Sequence, residues 1–223
     1  MTRLQGCVCI FDVDGTLVDS APDLTATLNR QLVSAGLSPM APDKVRSLVG
    51  NGARALLQAG YESQGRAFPD GDDADRLVSQ FIEDYVEHIA DLSVLFPGAI
   101  EALDQLEEAG ATLTICTNKT ERLAFALLEA LDVRGRFSQI IASDTLEERK
   151  PSGLPLRHLM KTTKAKAGVM IGDTFTDASA ARAAGIPALI ASFGYGAHDP
   201  RLSQVAFFDD YPSLPERIVE TLA

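Results

Sequence analysis

Short apolar runs alternate with longer amphipathic runs along most of the 223-residue chain. Ala99, Leu103 and Leu106 share one helical face in a segment that stops at Gly110, and a similar segment begins near Leu123. Strands alternating with helices of this length are typical of a parallel sheet covered on both faces. The pattern therefore predicts an α/β fold with a three-layer, Rossmann-like core. Its predicted strands are Cys7 to Phe11, Thr112 to Cys116, Gln139 to Ala142, Gly168 to Ile171 and Pro187 to Ala191.

The stretch from about residue 18 to residue 91 breaks this alternation and predicts helices only. Pro22 and Pro42 mark two helix starts, and Phe81, Tyr85 and Ile89 lie on the apolar stripe of a longer helix. We therefore predict an all-helical cap domain, residues 18–91, inserted after the first strand. The α/β core domain would comprise residues 1–17 and 92–223.

Composition and charge narrow the classes of protein that the chain can represent. Apolar residues make up 46% and charged residues 23%, as in globular proteins, and no apolar run is long enough to span a membrane. The net charge of −11 disfavours binding to nucleic acid. We expect a cytoplasmic protein without a signal peptide, a monomer or homodimer, whose three cysteines are buried thiols.

The most informative residues come where predicted strands end. Asp12 and Asp14 directly follow the first strand, and Gly15 then permits a tight backbone turn. In an open parallel sheet, ligands bind beyond the carboxyl ends of the strands, so side chains there are expected to converge. The residues that follow the other strands are Thr117 and Asn118, then Lys150, then Asp173 and Asp177.

Several carboxylates at one edge of a sheet require a compensating positive charge. Two carboxylates about 4 Å apart repel each other by about 4 kcal/mol at an effective dielectric constant of about 20. A hard cation relieves this repulsion, and a ligand set made only of oxygen favours Mg²⁺. Lys150 and Thr117 are suited to hold the oxygens of a substrate phosphate. The sequence thus predicts a magnesium-dependent site for a small phosphorylated metabolite.

These residues resemble the four motifs of the haloacid dehalogenase superfamily, and the resemblance covers nearly the whole chain. The matching motifs are Asp12-Val13-Asp14-Gly15-Thr16, Thr117, Lys150-Pro151 and the segment from Gly172 to Asp177. The helical insert resembles the cap of that superfamily. Within it, the chain is most similar to phosphoglycolate phosphatases. Two motifs depart from the common pattern: Lys150-Pro151-Ser152-Gly153 lacks the usual second proline, and Thr174 replaces a common serine.

The resemblance implies a role for each motif residue. Asp12 would attack phosphorus and form an aspartyl-phosphate, while Asp14 would act as general acid and then general base. Mg²⁺ would bind Asp12, Asp173 and the backbone carbonyl of Asp14. Thr117 and Lys150 would stabilise the phosphoryl oxygens. Asp177 would hold a metal-bound water or orient Lys150.

Substrate contacts are expected from both domains. The loop Gly50-Asn51-Gly52 is the cap segment predicted to reach the substrate, and Arg54 would meet a carboxylate. The predicted substrate-binding residues are Gly15, Thr16, Thr117, Asn118, Gly50, Asn51, Gly52 and Arg54.

Other functions remain open at this point. A second acid such as Asp14 is absent from dehalogenases and phosphonate hydrolases of the superfamily, so phosphate-ester chemistry is favoured. A sugar phosphomutase, a nucleotidase and a pyrophosphatase are the alternatives, although Thr16 favours a phosphatase over a mutase. A receiver-like signalling module, or a non-catalytic module that binds a phosphorylated ligand, is a more distant alternative.

Overall fold

The computed structural model describes residues 4–223. The chain divides into two compact units, one formed by Met1–Asp19 with Leu95–Ala223 and the other by Ser20–Val94. The strands are β1 (Cys7–Phe11), β2 (Val18–Asp19), β3 (Val94–Leu95), β4 (Thr112–Cys116), β5 (Gln139–Ile141), β6 (Ala167–Gly172), β7 (Ala188–Ala191) and β8 (Ala206–Phe208). The helices are α1 (Ala21–Ser34), α2 (Pro42–Arg46), α3 (Ala53–Glu62), α4 (Gly71–Glu87), α5 (Ala99–Glu108), α6 (Glu121–Ala130), α7 (Leu154–Thr162), α8 (Phe175–Ala184) and α9 (Leu214–Leu222).

A six-stranded sheet with the order β5-β4-β1-β6-β7-β8 forms the centre of the first unit. Each neighbouring pair of strands is parallel, and helices α5, α7, α8 and α9 pack against the sheet. The predicted α/β class is confirmed. All five predicted strands are present, with ends that differ by one residue at most.

The central position of β1 explains its composition. All five of its residues are buried, because β4 and β6 flank it and helices cover the sheet. Phe11 lies opposite Ile115 in β4 and Ile171 in β6. The three strands therefore end side by side, and the residues that follow them reach the same edge.

One strand of the sheet was not predicted. β8 pairs with β7 at the edge of the sheet and has only three residues, Ala206–Phe208. A segment this short carries no periodicity that separates it from a loop.

The second unit contains helices α1 to α4, and its core includes Leu28, Leu57, Phe81 and Tyr85. The first two residues of the range predicted to be purely helical, Val18–Asp19, instead form β2. Asp23 is buried in the first turn of α1. Its carboxylate accepts hydrogen bonds from the backbone N–H groups of Leu92 and Ser93 and from the Ser93 hydroxyl. This contact ties the start of the unit to its end.

Two further expectations concern the described residues. Cys7, Cys9 and Cys116 are buried free thiols, as predicted. Within residues 4–223, every helix is too short or too polar to cross a bilayer.

Candidate active site

The loop that follows β1 leaves the sheet at its carboxyl edge. The backbone N–H of Asp12 donates to the carbonyl of Ile171 at 2.9 Å, which extends the pairing with β6 by one residue. Gly15 then turns the chain with a φ of 77°, a conformation that strains other residues. A side chain would also find no room there, because a Cβ on Gly15 would collide with Asp173 and with the Tyr195 ring.

Lys150 lies between two carboxylates. Its Nζ is 2.9 Å from Asp12 Oδ2 and 2.6 Å from Asp177 Oδ1. Burial lowers the pKa of Lys150, but the charges of Asp12 and Asp177 outweigh burial and hold this pKa above its ordinary value. The backbone carbonyl of Lys150 accepts a hydrogen bond from Asn118 Nδ2 at 3.0 Å, which fixes the loop that carries the lysine. We therefore expect Lys150 to carry its positive charge at neutral pH.

Both carboxylate oxygens of Asp177 accept hydrogen bonds from neighbouring residues. Oδ1 binds Lys150, while Oδ2 accepts hydrogen bonds from the backbone N–H of Thr174 at 3.0 Å and its hydroxyl at 2.6 Å, in a capping box at the start of α8. Burial raises the pKa of Asp177, but Lys150 and the Thr174 hydrogen bonds lower it further, so the net shift is downward. This arrangement fits the predicted role of orienting Lys150.

Asp173 completes a cluster of three acids, in which Asp173 and Asp177 are buried and Asp12 is partly buried. Its Oδ1 accepts a hydrogen bond from the Thr16 hydroxyl at 3.2 Å, and its Oδ2 accepts one from the backbone N–H of Tyr195 at 2.8 Å. Carboxylate oxygens of Asp12, Asp173 and Asp177 all lie within 4.8 Å of one another. Burial, together with the charges of Asp177 and Asp12, raises the pKa of Asp173 well above its ordinary value.

Asp14 is held by a residue that was not predicted to belong to the site. Lys119 Nζ lies 2.9 Å from Asp14 Oδ1 and 3.0 Å from Oδ2, and only 4% of the Lys119 side chain is exposed. The carboxylate of Asp14 is absent from the acidic cluster described above. The sequence did contain a signal for Lys119 as a site residue, because it follows the end of β4 together with Thr117 and Asn118.

Thr117 and Asn118 lie at the end of β4, as predicted. The backbone N–H of Thr117 donates to the carbonyl of Ile141, and its hydroxyl accepts a hydrogen bond from the backbone N–H of Lys119 at 3.2 Å. Asn118 Oδ1 is buried and has no hydrogen-bond partner among the described residues. Both residues fix the loop, and Asn118 retains one acceptor atom.

The predicted cap residues lie in the second unit. Gly50 and Gly52 have φ values of 92° and 89° on either side of Asn51. Arg54, in the first turn of α3, forms an ion pair with Asp75 of α4 on an exposed surface. Substrate contact by these four residues stays a prediction.

A family model described as haloacid dehalogenase-like hydrolase matches residues 9–191 of the chain. The chain belongs to this family. The predicted class of enzyme, a hydrolase similar to phosphoglycolate phosphatases, is confirmed by this match and by the relatives described next.

Two curated relatives and one solved structure give the extent of that similarity. Phosphoglycolate phosphatase of Caulobacter vibrioides is 45% identical over 197 residues, which are 86% of this chain and 81% of the relative. Phosphoglycolate phosphatase of Agrobacterium fabrum is 38% identical over 221 residues, 96% of this chain and 93% of the relative. The crystal structure of a predicted phosphoglycolate phosphatase from Haemophilus somnus has a TM-score of 0.88 at 28% identity, covering 98% of this chain and 99% of that one.

The acidic cluster of this hydrolase fits a hard divalent cation. Burial raises the pKa of Asp12 to about 6 although Lys150 opposes the shift, and Asp173 is shifted in the same direction. One buried ammonium therefore does not neutralise the three carboxylates. Asp12 and Asp173 offer carboxylate oxygens at a spacing suited to a small divalent cation, whereas both oxygens of Asp177 already accept hydrogen bonds.

The segment that follows β7 packs tightly against Asp173 at Gly194. This packing predicts that a larger residue at Gly194 lowers the stability of the protein. A Cβ on Gly194 would collide with Asp173 and lie 2.9 Å from the carbonyl oxygen of Gly15. Gly194→Ala is therefore expected to lower the free energy of unfolding by about 1–3 kcal/mol, measured by urea denaturation. Gly135→Ala is the matched control, because a Cβ there meets no atom within 4 Å. Equal unfolding midpoints for the two variants would contradict the prediction.

Proposed function

We propose that this hydrolase cleaves phosphomonoesters with Mg²⁺ through an aspartyl-phosphate on Asp12, and that its substrate is phosphoglycolate or a similarly small phosphorylated metabolite. The observation that carries the proposal is the position of Lys150, buried 2.9 Å from Asp12 and beside the acidic cluster. A phosphate bound there meets a nucleophile and a fixed cation together. The relatives named phosphoglycolate phosphatase support the choice of substrate.

In the first step, a carboxylate oxygen of Asp12 attacks phosphorus and the bond from phosphorus to the leaving group breaks. Asp14 gives its proton to the departing alkoxide. In the second step, a water molecule attacks the same phosphorus and transfers a proton to Asp14. The bond between phosphorus and Asp12 then breaks, which releases inorganic phosphate and restores both carboxyl groups.

The remaining core residues stabilise charge during both steps. Asp12 and Asp173, with the backbone carbonyl of Asp14, are the groups that would hold Mg²⁺. When bound, the metal would screen the phosphate charge from the anionic nucleophile. Lys150 places its ammonium toward the phosphoryl oxygens, and Asp177 keeps that ammonium in position. The Thr117 hydroxyl would donate to another of these oxygens.

The second unit, Ser20–Val94, would serve as the cap of this enzyme. A cap that closes over the site excludes water and selects the leaving group. Gly50, Asn51, Gly52 and Arg54 are the residues proposed to contribute to that selection.

Four phosphate esters and pyrophosphate, which is an anhydride, test the proposal directly. Phosphate release would be measured from 2-phosphoglycolate, a sugar phosphate, a nucleoside monophosphate, pyrophosphate and p-nitrophenyl phosphate, each with Mg²⁺ and with a chelator. We expect the highest kcat/KM for 2-phosphoglycolate, and loss of turnover in the chelator. Turnover that survives the chelator would contradict the role of the metal. A folded, Mg²⁺-loaded protein that hydrolyses none of these esters would overturn the proposal.

A further inference from the structure

Two lysines are buried within residues 4–223, and the proposed reaction uses only one of them. Lys150 is engaged by Asp12 and Asp177. The other is Lys119, whose Nζ lies within 3.0 Å of both carboxylate oxygens of Asp14. A buried ammonium is costly unless anions surround it, so its position needs an explanation.

The backbone of Lys119 is fixed at both of its polar groups. Its N–H donates to the Thr117 hydroxyl at 3.2 Å, and its carbonyl accepts from the backbone N–H of Ser143 at 3.0 Å. The Lys119 side chain is 4% exposed and that of Asp14 is 11% exposed. The ammonium therefore occupies a defined position at the carboxyl edge of the sheet. Specific recognition of a ligand requires such a fixed position.

The position of Asp14 sets how far the Lys119 ammonium would lie from the substrate. A general acid must come within about 2.6–3.2 Å of the bridging oxygen that it protonates. Because Lys119 contacts the same carboxylate, Nζ would lie within about 6 Å of that oxygen, the sum of two hydrogen-bond lengths. In the phosphate ester of a 2-hydroxy acid, a carboxylate oxygen is three bonds from the bridging oxygen. It can come close enough to a lysine so placed for the positive charge of the ammonium to attract it.

We infer that Lys119 is a specificity-determining residue, which selects leaving groups that carry a carboxylate next to the bridging oxygen. This inference rests on the proposed function, since it assigns Asp14 to the leaving group. A purely structural Lys119 would hold Asp14 for every substrate alike. If Lys119 instead contacts the leaving group, its removal lowers kcat/KM more for substrates with a carboxylate than for substrates without one.

Two esters separate these roles. 2-Phosphoglycolate and ethyl phosphate share the phosphoryl group and the bridging oxygen, and a carboxylate in the first replaces a methyl group in the second. The ratio of their kcat/KM values would be measured for the wild type, Lys119→Met and Lys119→Arg. Both esters are expected to react more slowly in Lys119→Met, because Asp14 loses its contact with the Lys119 ammonium. The ratio removes this common factor.

We expect Lys119→Met to lower the ratio by about 10- to 100-fold, the range for loss of one charged hydrogen bond. Lys119→Arg keeps the charge and is expected to retain most of the ratio. Lys119→Gln serves in place of the methionine variant if that protein does not fold. Lys161→Met is the matched control, an exposed lysine in α7.

Each outcome has a distinct meaning. A ratio that is equal in the wild type and Lys119→Met would overturn the inference and leave Lys119 as a residue that positions Asp14. A ratio that collapses in Arg54→Met instead would transfer the selection to Arg54 and overturn it as well. If the wild type hydrolyses neither ester in Mg²⁺, the proposed substrate fails and the inference fails with it, a result that is distinguishable from the other two.

Discussion

Asp12→Asn is expected to reduce kcat for phosphate-ester hydrolysis by at least about 10⁴-fold, as losses of a catalytic nucleophile do in other hydrolases. Asparagine has nearly the same shape as aspartate, and its oxygen can still accept the hydrogen bond that Val13 N–H donates at 2.8 Å. An amide is a poor nucleophile at phosphorus, so no covalent intermediate forms. The measurement is steady-state phosphate release at saturating substrate and Mg²⁺.

Thermal unfolding in a chelator separates this loss from misfolding. Burial raises the pKa of Asp12 to about 6, so ionised Asp12 costs folding free energy at neutral pH even with Lys150 beside it. An uncharged amide avoids that cost, and the Tm of Asp12→Asn is expected to equal or exceed that of the wild type. Asp43→Asn, at an exposed position in α2, is the control. A folded variant that keeps more than about one hundredth of the wild-type turnover would exclude Asp12 as the nucleophile.

Lys150→Met is expected to lower both activity and stability. Removing one partner of a buried ion pair destabilises a protein by about 3–5 kcal/mol, because the remaining charge stays buried without compensation. Asp12 and Asp177 would both be left in this state. Loss of a cation that stabilises the phosphoryl oxygens is expected to reduce kcat by a further factor of about 10²–10³. Chemical denaturation and phosphate release measure the two effects.

The pH dependence identifies the uncompensated carboxylates as the cause. In the wild type, the lowered pKa of Asp177 contributes stability above the pKa of the unfolded chain, and this stability is lost as the pH falls. Without Lys150, the pKa values of Asp12 and Asp177 rise, so the cost appears as the pH increases. The stability deficit of Lys150→Met in a chelator should therefore be smaller near pH 5 than near pH 7.5.

Two variants serve as checks on this second prediction. Adding Asp177→Asn to Lys150→Met removes one of the buried charges, so it is expected to restore part of the stability and none of the activity. Lys161→Met, on the surface of α7, should match the wild type in both measurements. A deficit for Lys150→Met that is independent of pH would mean that lost packing, and not charge, destabilises the variant.

The strands that carry the site could be predicted because each is a continuous apolar run. Burial on both faces of the sheet requires apolar side chains throughout β1, and the same holds for most of β4 and β6. β8 was missed because three residues at an edge impose no such requirement. Apolar patterning therefore identifies central strands better than edge strands.

In the candidate site, too, some features could be predicted from the sequence and others could not. Asp12, Lys150, Asp173 and Asp177 were predicted, and the structure brings them together, because each follows a strand or begins a helix at one sheet edge. The support of Asp173 by the Tyr195 backbone N–H was not predicted. Every residue except proline has such a group, so the sequence contains no mark of which one is used.

The sequence by itself determined the class of fold, the strands that carry the site, and the residue types available for chemistry. These follow from local constraints: apolar runs must be buried, and parallel strands place their ends along one edge. Only the tertiary structure decided partners such as Lys119 for Asp14 and Lys150 for Asp12. Pairing between residues distant in the chain depends on distances of about 3 Å, and these are set by how strands, loops and helices pack together.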